Sequence, residues 1–201
     1  MALWLADAPL VLASKSAVRR EVLLSAGIPV EAIPADIDER GIEARSAAID
    51  PGEVALMLAC EKAKAVSSDL PKRWVLGADQ TLALGTRRFS KPADAVAARA
   101  QLTTLRGRTH ALHSAIAVVR DGAVMHETVD VARLTMREFS DSFLNRYLAE
   151  AGPAVLASVG GYQLERIGIH LFDQVEGDHF TVLGLPLIPL LAFLRQAGLV
   201  A

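Results

Sequence analysis

Short apolar runs alternate with helical segments along this chain, and that alternation limits its possible folds more than any other feature. Residues 10–13 and 74–77 have the continuous apolar character of buried strands. A helical segment at residues 18–26 follows the first run, and Gly27 ends it. Strands and helices in alternation pack as a sheet covered by helices. The sequence therefore predicts an α/β fold.

The rest of the chain continues this pattern and adds one hairpin. Asp50 can cap a helix, Pro51 suits its first position, and Glu53 completes a capping box. Asp121-Gly122 is a good hairpin turn, which makes part of the sheet antiparallel. The sheet is therefore predicted to be mixed. The further predicted elements are helices at residues 50–66, 90–105, 140–150 and 186–197, hairpin strands at 111–119 and 123–134, and a strand at 167–175.

Composition limits the class of protein. The chain has 201 residues, 52% of them hydrophobic, which predicts one domain over residues 1–201 with room for two lobes around a cleft. The formal net charge is −2, so we expect no broad basic surface for duplex nucleic acid. The single cysteine, Cys60, cannot form an intrachain disulfide and fits a reducing compartment.

No targeting or membrane segment is predicted. Residues 1–13 are apolar but lack a basic n-region and contain Asp7 and Pro9, which is unlike a signal peptide. No apolar run reaches the roughly 18 residues that a membrane span requires. We therefore expect a soluble, cytoplasmic protein that does not bind membranes.

The loop after the first strand carries hydroxyl and guanidinium groups. Ser14, Ser16, Arg19 and Arg20 stand where a strand gives way to a helix N-terminus, an arrangement that suits a phosphate. A solvated first turn capped by a serine explains the same residues. The local sequence leaves both interpretations open.

Two acidic pairs are candidates for metal binding or acid–base chemistry. Asp79 and Gln80 are predicted at the end of a buried strand, where α/β proteins tend to place functional groups. A carboxylate there can bind a divalent cation or orient an attacking water. Asp38 and Glu39 end another extended run and resemble a solvated turn. A loop-capping role for Asp79 also stays open.

Two lysines could neutralise a polyphosphate, although either could be an ordinary surface lysine. Lys62 falls on a predicted helix among small apolar residues, and Lys91 precedes Pro92 at another helix start. Cys60 is interpreted as a small buried helix residue. The five histidines show no close metal-ligand spacing and are interpreted as strand or loop residues: His110, His113, His126, His170 and His179.

Several short motifs resemble the Maf, or septum-formation-inhibitor-like, nucleotide pyrophosphatases. They occur in family order between residue 10 and about residue 196, so agreement by chance is implausible. They are Leu-Ala-Ser-Lys-Ser at 12–16, Leu-Ala-Cys-Glu-Lys-Ala at 58–63, Gly-Ala-Asp-Gln at 77–80, Lys-Pro at 91–92, Leu-Arg-Gly-Arg-Thr-His at 105–110 and Gly-Leu-Pro-Leu at 184–187.

The resemblance implies a mixed twisted sheet with flanking helices and two lobes around a nucleotide-binding cleft, as in inosine triphosphatase-like folds, often as a homodimer. It implies metal-dependent hydrolysis, with Mg²⁺ or Mn²⁺, of a nucleoside triphosphate to the monophosphate and pyrophosphate. Asp79 would accept the proton, and Glu39 with Asp79 would hold the metal. The positions that would contact substrate are Ser14, Arg19, Arg20, Lys62, Gln80, Lys91 and Glu165.

Substrate preference follows from departures within the family. Ala17 replaces the usual proline, and the pair Arg19-Arg20 with Gln80 resembles the branch that acts on 7-methyl-GTP. Glu165 could accept hydrogen bonds from the guanine edge, and an aromatic ring such as Tyr162 could stack on the cationic base. A UTP/dTTP pyrophosphatase is the alternative enzyme. A nucleotide-binding regulator of division without turnover is the alternative of another class.

Overall fold

A mixed sheet runs through the centre of the protein, which the computed structural model describes over residues 3–45 and 50–201. Within this part of the chain the sheet has seven strands in the order β2-β1-β3-β5-β6-β7, with β4 paired to β3. β1 is parallel to β2 and β3, and the other pairs are antiparallel. The strands are β1 (Leu10–Leu12), β2 (Val30–Ala32), β3 (Val75–Leu84), β4 (Arg87–Phe89), β5 (Thr109–Arg120), β6 (Ala123–Met136) and β7 (Phe172–Glu176).

Helices flank this sheet, so the predicted fold class is confirmed. The predicted hairpin is confirmed as well: β5 and β6 join at Asp121 and Gly122, whose φ angles of 51° and 78° are both positive. The helices are α1 (Ala17–Ser25), α2 (Glu39–Arg45), α3 (Pro51–Ser67), α4 (Ala95–Leu105), α5 (Asp141–Ala151), α6 (His179–Val182) and α7 (Leu187–Gln196).

Helix α3 lies unusually close to the sheet. The carboxylate of Asp50 accepts a hydrogen bond from the Gly52 amide, as the predicted cap requires. Small residues, including Ala59, face the sheet and are fully buried. A Cβ added to Gly77 of β3 would lie 2.0 Å from the carbonyl oxygen of Ala59. This close contact brings Lys62, one turn further along α3, over the middle of β3.

The two largest hydrophobic clusters define two lobes that share the long strands. One core packs α1 and α7 against β1 and the first half of β3, including Leu76. The other packs α4 and α5 against the far half of β3, including Leu82. Asp79, Gln80 and Thr81 lie on β3 between these two core residues. The middle of one continuous strand therefore carries polar side chains at the junction of the lobes.

The predicted end of β3 is wrong. We expected the strand to end at Asp79, but it continues to Leu84. The cause is β5, which runs antiparallel beside β3 and pairs with it as far as Ala83. A polar residue does not end a strand whose backbone groups are paired in this way. Asp79 and Gln80 thus point to opposite faces of the sheet instead of occupying a loop.

Other boundaries differ from the prediction for local reasons. Helix α4 begins at Ala95, not near Pro92, because the carboxylate of Asp94 caps it through the Ala97 amide. Residues Ile167–Leu171 form a 3₁₀ turn, and the predicted strand there begins only at Phe172. The sequence analysis missed α2, β4 and α6, each of seven residues or fewer, and gave no bounds for β2, which precedes Asp38 in a segment expected to be extended.

Three smaller predictions can be compared with the structure. His110, His113 and His126 are strand residues as expected, whereas His170 and His179 lie in short helical turns. Cys60 is a half-buried helix residue whose Sγ lies 3.4 Å from Oε2 of Glu127. In the part of the chain that the structure describes, no helix is long and apolar enough to cross a membrane. Of the apolar segment at residues 1–13, residues 1 and 2 lie outside the described residues.

Candidate functional site

A cavity of about 1080 Å³ opens between the two lobes. Its walls come from the loop between β1 and α1, from α2, α3, the middle of β3, β4 and the segment of residues 157–165. Motifs that are far apart in the sequence therefore meet around one space. Predicted site residues that line it are Ser14, Arg19, Glu39, Lys62, Asp79, Gln80, Lys91 and Glu165.

An ion-pair cluster lies on the floor of the cleft. The Nζ atom of Lys62 is 2.6 Å from Oδ1 of Asp79 and 3.1 Å from Oε2 of Glu39. The Lys62 and Asp79 side chains are 10% and 12% exposed, whereas that of Glu39 is 50% exposed. The close packing of α3 on β3 positions the first pair, and α2 brings the second carboxylate. Lys62 is thus a buried cation between two acids, not a surface lysine.

Asp79 keeps one carboxylate oxygen available. Oδ1 accepts the Lys62 hydrogen bond, and no described residue donates a hydrogen bond to Oδ2. A carboxylate has lone pairs on both oxygens, so Oδ2 retains its capacity to accept a proton or bind a cation. The lysine therefore orients this acid without saturating it.

Two of the three guanidinium nitrogens of Arg19 donate hydrogen bonds within the protein. Its Nε donates to the carbonyl oxygen of Gly184 at 2.8 Å, and Nη1 donates to that of Ala78 at 2.8 Å and to Oγ of Ser14 at 3.3 Å. Burial lowers the pKa of Arg19, while the charges of Asp79 and Glu39 oppose that shift. The guanidinium stays protonated in any case. Nη2 is thus the group left to meet a phosphate.

The side-chain amide of Gln80 is oriented by three hydrogen-bond acceptors. Its Nε2 donates to Oγ of Ser114 at 2.9 Å and to the carbonyl oxygens of Thr181 and Val182 at 3.1 and 3.0 Å. These acceptors fix the amide group, because only its nitrogen can donate to them. The Oε1 atom is therefore the part of Gln80 that can face a ligand, and it can only accept.

The remaining predicted residues differ in placement. Ser14 is buried at the mouth of the first loop, while Lys91 and Glu165 are exposed on the cleft walls. Arg20 is exposed on α1 and is not among the residues that line the cleft. Helical geometry explains this, because Arg20 points about 100° away from Arg19 around α1. The structure therefore brings all the predicted residues together except Arg20.

Glu43 and Arg88 are among the charged lining residues that the sequence analysis did not name. Glu43 is four residues after Glu39 on α2, so both carboxylates share one helix face. Burial raises the pKa of Glu43, Asp79 raises it further, and Arg88 opposes the shift. Arg88 lies on β4 and lines the same cavity. The i, i+4 spacing would have indicated Glu43 had α2 been recognised, but no sequence signal marks Arg88.

Tyr162 lies in the wall of the cleft but belongs to the core. Its side chain is 5% exposed, its hydroxyl is 2.7 Å from Nε2 of His110, and its ring packs edge-on against Phe172. Burial raises its pKa far above the ordinary value. The stacking role predicted for this ring is therefore wrong for the conformation described.

Formal charges on the cleft lining balance. The acids and bases among the lining residues are equal in number. A bound triphosphate would add negative charge to this neutral lining. The cations are Lys15, Arg19, Arg40, Lys62, Arg88 and Lys91, and the acids are Asp36, Asp38, Glu39, Glu43, Asp79 and Glu165.

The cleft lining supplies some, but not all, of the ligands that a divalent cation needs. In residues 3–45 and 50–201, no group of three or more His, Cys, Asp or Glu forms a metal site by itself. Glu39 and Asp79 are nevertheless oxygen donors that already share one cation, the ammonium of Lys62. Magnesium commonly uses one or two carboxylates and completes its shell with phosphates and water. The residues therefore fit a cation that arrives with a phosphorylated ligand.

Several known proteins are similar to this chain. A protein from Rhodopseudomonas palustris (strain BisB18), named nucleoside triphosphate pyrophosphatase, is 59% identical over the full length of both chains. A protein from Mesorhizobium japonicum, named 7-methyl-GTP pyrophosphatase, is 51% identical over 94% of this chain and 96% of its own length. A HAM1 protein structure from Coxiella burnetii is 19% identical, with a TM-score of 0.41, over 64% of this chain and 72% of that one.

The family itself is established by a sequence model. The model described as Maf-like protein matches residues 9–197, which include every predicted site residue. The full-length relative from Rhodopseudomonas palustris supports the same assignment. This chain therefore belongs to the Maf-like protein family.

Proposed function

We propose that this protein hydrolyses nucleoside triphosphates between the α and β phosphates and releases a nucleoside monophosphate and pyrophosphate. Membership of the Maf-like family and relatives at 55–59% identity named nucleoside triphosphate pyrophosphatase support this class of enzyme. The observation that carries the proposal is Asp79 on the cleft floor, with one oxygen held by Lys62 and the other open.

In the proposed reaction Asp79 acts as general base. Oδ2 removes a proton from water while the water oxygen forms a bond to the α-phosphorus. The bond between that phosphorus and the α–β bridging oxygen breaks, and pyrophosphate leaves. Lys62 keeps Asp79 in position, and Nη2 of Arg19 with Lys91 donates to phosphate oxygens. A bound Mg²⁺ or Mn²⁺, held by Glu39 and Asp79, would offset phosphate charge and lower the pKa of the attacking water.

An Asp79→Asn variant tests the general base. We expect kcat to fall about a hundredfold to ten-thousandfold, because the amide cannot accept the proton. Asp173→Asn is the control, since Asp173 is an exposed acid on β7 outside the cleft. Circular dichroism and a nucleotide-binding titration check that the fold and the site survive. If Asp79→Asn keeps most of the wild-type kcat, Asp79 is not the base.

The bond that is cut is tested by the products. Chromatography of the reaction should give monophosphate and pyrophosphate. Diphosphate with orthophosphate would refute the proposed position of attack. The same assay with Mg²⁺, Mn²⁺ or a chelator tests the metal requirement, and turnover at an unchanged rate in chelator would refute it.

We also propose a preference for 7-methyl-GTP, which the 51% identical relative of that name supports. Glu165 lines the cleft and is exposed there, so its carboxylate can accept from the N1–H and 2-amino groups of guanine. Glutamine at this position could also donate, to the carbonyl oxygens of uracil or thymine. We expect Glu165→Gln to lower kcat/KM for 7-methyl-GTP relative to UTP and dTTP.

The control for this substitution is Glu176→Gln, an exposed acid on β7 outside the cleft. A wild type that prefers UTP or dTTP, or an unchanged preference in Glu165→Gln, would contradict the proposed base recognition. The expected homodimer rests on the family resemblance alone. Light scattering coupled to size exclusion tests it, and a monomeric mass would refute it.

A further inference from the structure

Arg88 has an unusual environment for a cation on a short strand. It is half-buried, and its Nη2 donates to the main-chain carbonyl oxygen of Glu43 at 3.2 Å. Its Nη1 is buried and, among the residues that the structure describes, has no hydrogen-bond partner. Within residues 3–45 and 50–201, Arg88 forms no salt bridge. A buried guanidinium nitrogen without an acceptor is unfavourable, and Arg88 lines the cavity, so an acceptor on a ligand bound in the cavity would stabilise it.

The contact with Glu43 connects Arg88 to the acids of the cleft. Helix α2 carries Glu39 and Glu43 over the cavity, and the Lys62–Glu39 ion pair holds it from the α3 side. Arg88 holds the same helix from β4 through the Glu43 carbonyl. The guanidinium also lowers the pKa of Glu43, so it lies within electrostatic reach of that carboxylate. Arg88 therefore contacts the helix that supplies the candidate metal ligand.

We propose that Arg88 is a further substrate-positioning residue, which fixes α2 through the Glu43 carbonyl and supplies a donor and an uncommitted positive charge for the polyphosphate. The role rests on the proposed function of the cleft. It differs from that of Lys62 and Arg19, whose donors already bind two carboxylates and two carbonyl oxygens. Arginine suits the task because its planar fork can serve a carbonyl and a phosphate together, whereas lysine donates from one point.

The chain offers a matched control on the same strand. Arg87 precedes Arg88, is exposed, stacks its guanidinium over Phe89 with 4.9 Å to the ring centroid, and is not among the cleft-lining residues. Arg88→Ala, Arg88→Lys and Arg87→Ala would be compared with wild type. Two readouts apply: calorimetric titration with inorganic tripolyphosphate, and kcat and KM for the best nucleoside triphosphate. Thermal unfolding checks each variant.

Loss of one charge-assisted contact predicts about tenfold to hundredfold weaker tripolyphosphate binding in Arg88→Ala, with a comparable rise in KM. Arg88→Lys should recover part of the binding, because it keeps the charge but cannot serve both acceptors. Arg87→Ala should match wild type. A merely structural Arg88 would lower the unfolding temperature and leave the tripolyphosphate affinity of the folded protein and KM unchanged.

Two results would overturn the proposal in distinguishable ways. If wild type binds tripolyphosphate and hydrolyses nucleotides, but Arg88→Ala behaves like Arg87→Ala in affinity and KM, Arg88 does not position substrate. If wild type neither binds tripolyphosphate nor hydrolyses any nucleoside triphosphate in the panel, the proposed function itself fails, and the role of Arg88 fails with it.

Discussion

Replacing Lys62 with methionine is the most informative perturbation of the cleft floor. Methionine fills nearly the same volume and removes only the ammonium, which leaves Asp79 without its partner. At 2.6 Å and an effective dielectric constant of about 20, the gross attraction in that pair is about 6 kcal/mol. Desolvation of both ions opposes this attraction. The gross figure is therefore an upper bound on the contribution of the pair to stability.

The net effect follows from how buried each partner is. Breaking a buried pair by removing one partner typically lowers the free energy of unfolding by about 3–5 kcal/mol, and Lys62 and Asp79 are both about nine-tenths buried. Glu39 is half exposed, so solvent screening limits its contribution to about 1 kcal/mol at most. For a protein of this length we expect Lys62→Met to lower Tm by about 6–20 °C.

The assay is urea unfolding at pH 7 of Lys62→Met, Asp79→Asn and the double variant. Adding Asp79→Asn to Lys62→Met removes the uncompensated charge, so we expect a coupling free energy of about 2–3 kcal/mol. Lys64→Met is the control: Lys64 is exposed two residues along the same helix, and its loss should change stability by less than about 0.5 kcal/mol. A coupling free energy near zero would refute the claim that the two charges compensate each other.

Two further predictions concern the buried structure around the cleft. Burial lowers the pKa of His110 from 6.5 to about 4, so as pH falls the unfolded chain binds a proton before the folded protein does. The stability present above pH 6.5 should therefore decrease by about 3 kcal/mol between pH 6.5 and 4. The variant His110→Phe should remove this pH dependence in unfolding titrations. Gly77→Ala should lower the free energy of unfolding by about 1–3 kcal/mol or more, because the added Cβ would lie 2.0 Å from the carbonyl oxygen of Ala59. Wild-type stability in this variant would mean that α3 can move away from β3.

Elements with strong local signals were predictable from the sequence. The cap at Asp50 with Pro51 fixed the start of α3, and Asp121-Gly122 fixed the turn between β5 and β6. The short elements were not predictable, because three to seven residues carry too little periodicity to distinguish strand, helix and turn. Helix α2, which begins at Glu39, was missed for this reason and taken for a turn.

The candidate site was predicted in its residues more than in its geometry. Short motifs indicated Lys62 and Asp79, but nothing in their spacing showed that they lie 2.6 Å apart, since that distance depends on the packing of α3 on β3. Gln80 and Arg19 were expected to contact substrate, whereas several of their N–H groups donate hydrogen bonds to main-chain carbonyl oxygens. Such contacts join residues more than fifty positions apart, which local pattern does not reveal.

The balanced charges of the cleft give a physical reason why its side chains alone would not neutralise a bound triphosphate. The most buried cation in the lining, Lys62, is already paired with two carboxylates, and Arg19 donates to carbonyl oxygens. The other cations of the lining are Lys15, Arg40, Arg88 and Lys91, and the six acids of the lining would repel a nucleoside triphosphate. Like charges in a partly buried space repel strongly, so a lining of this kind favours a substrate that brings a cation with it. The Lys62–Asp79 contact is compatible with the proposed reaction: Lys62 orients Asp79 through one oxygen, while the second oxygen stays open to accept a hydrogen bond or a proton.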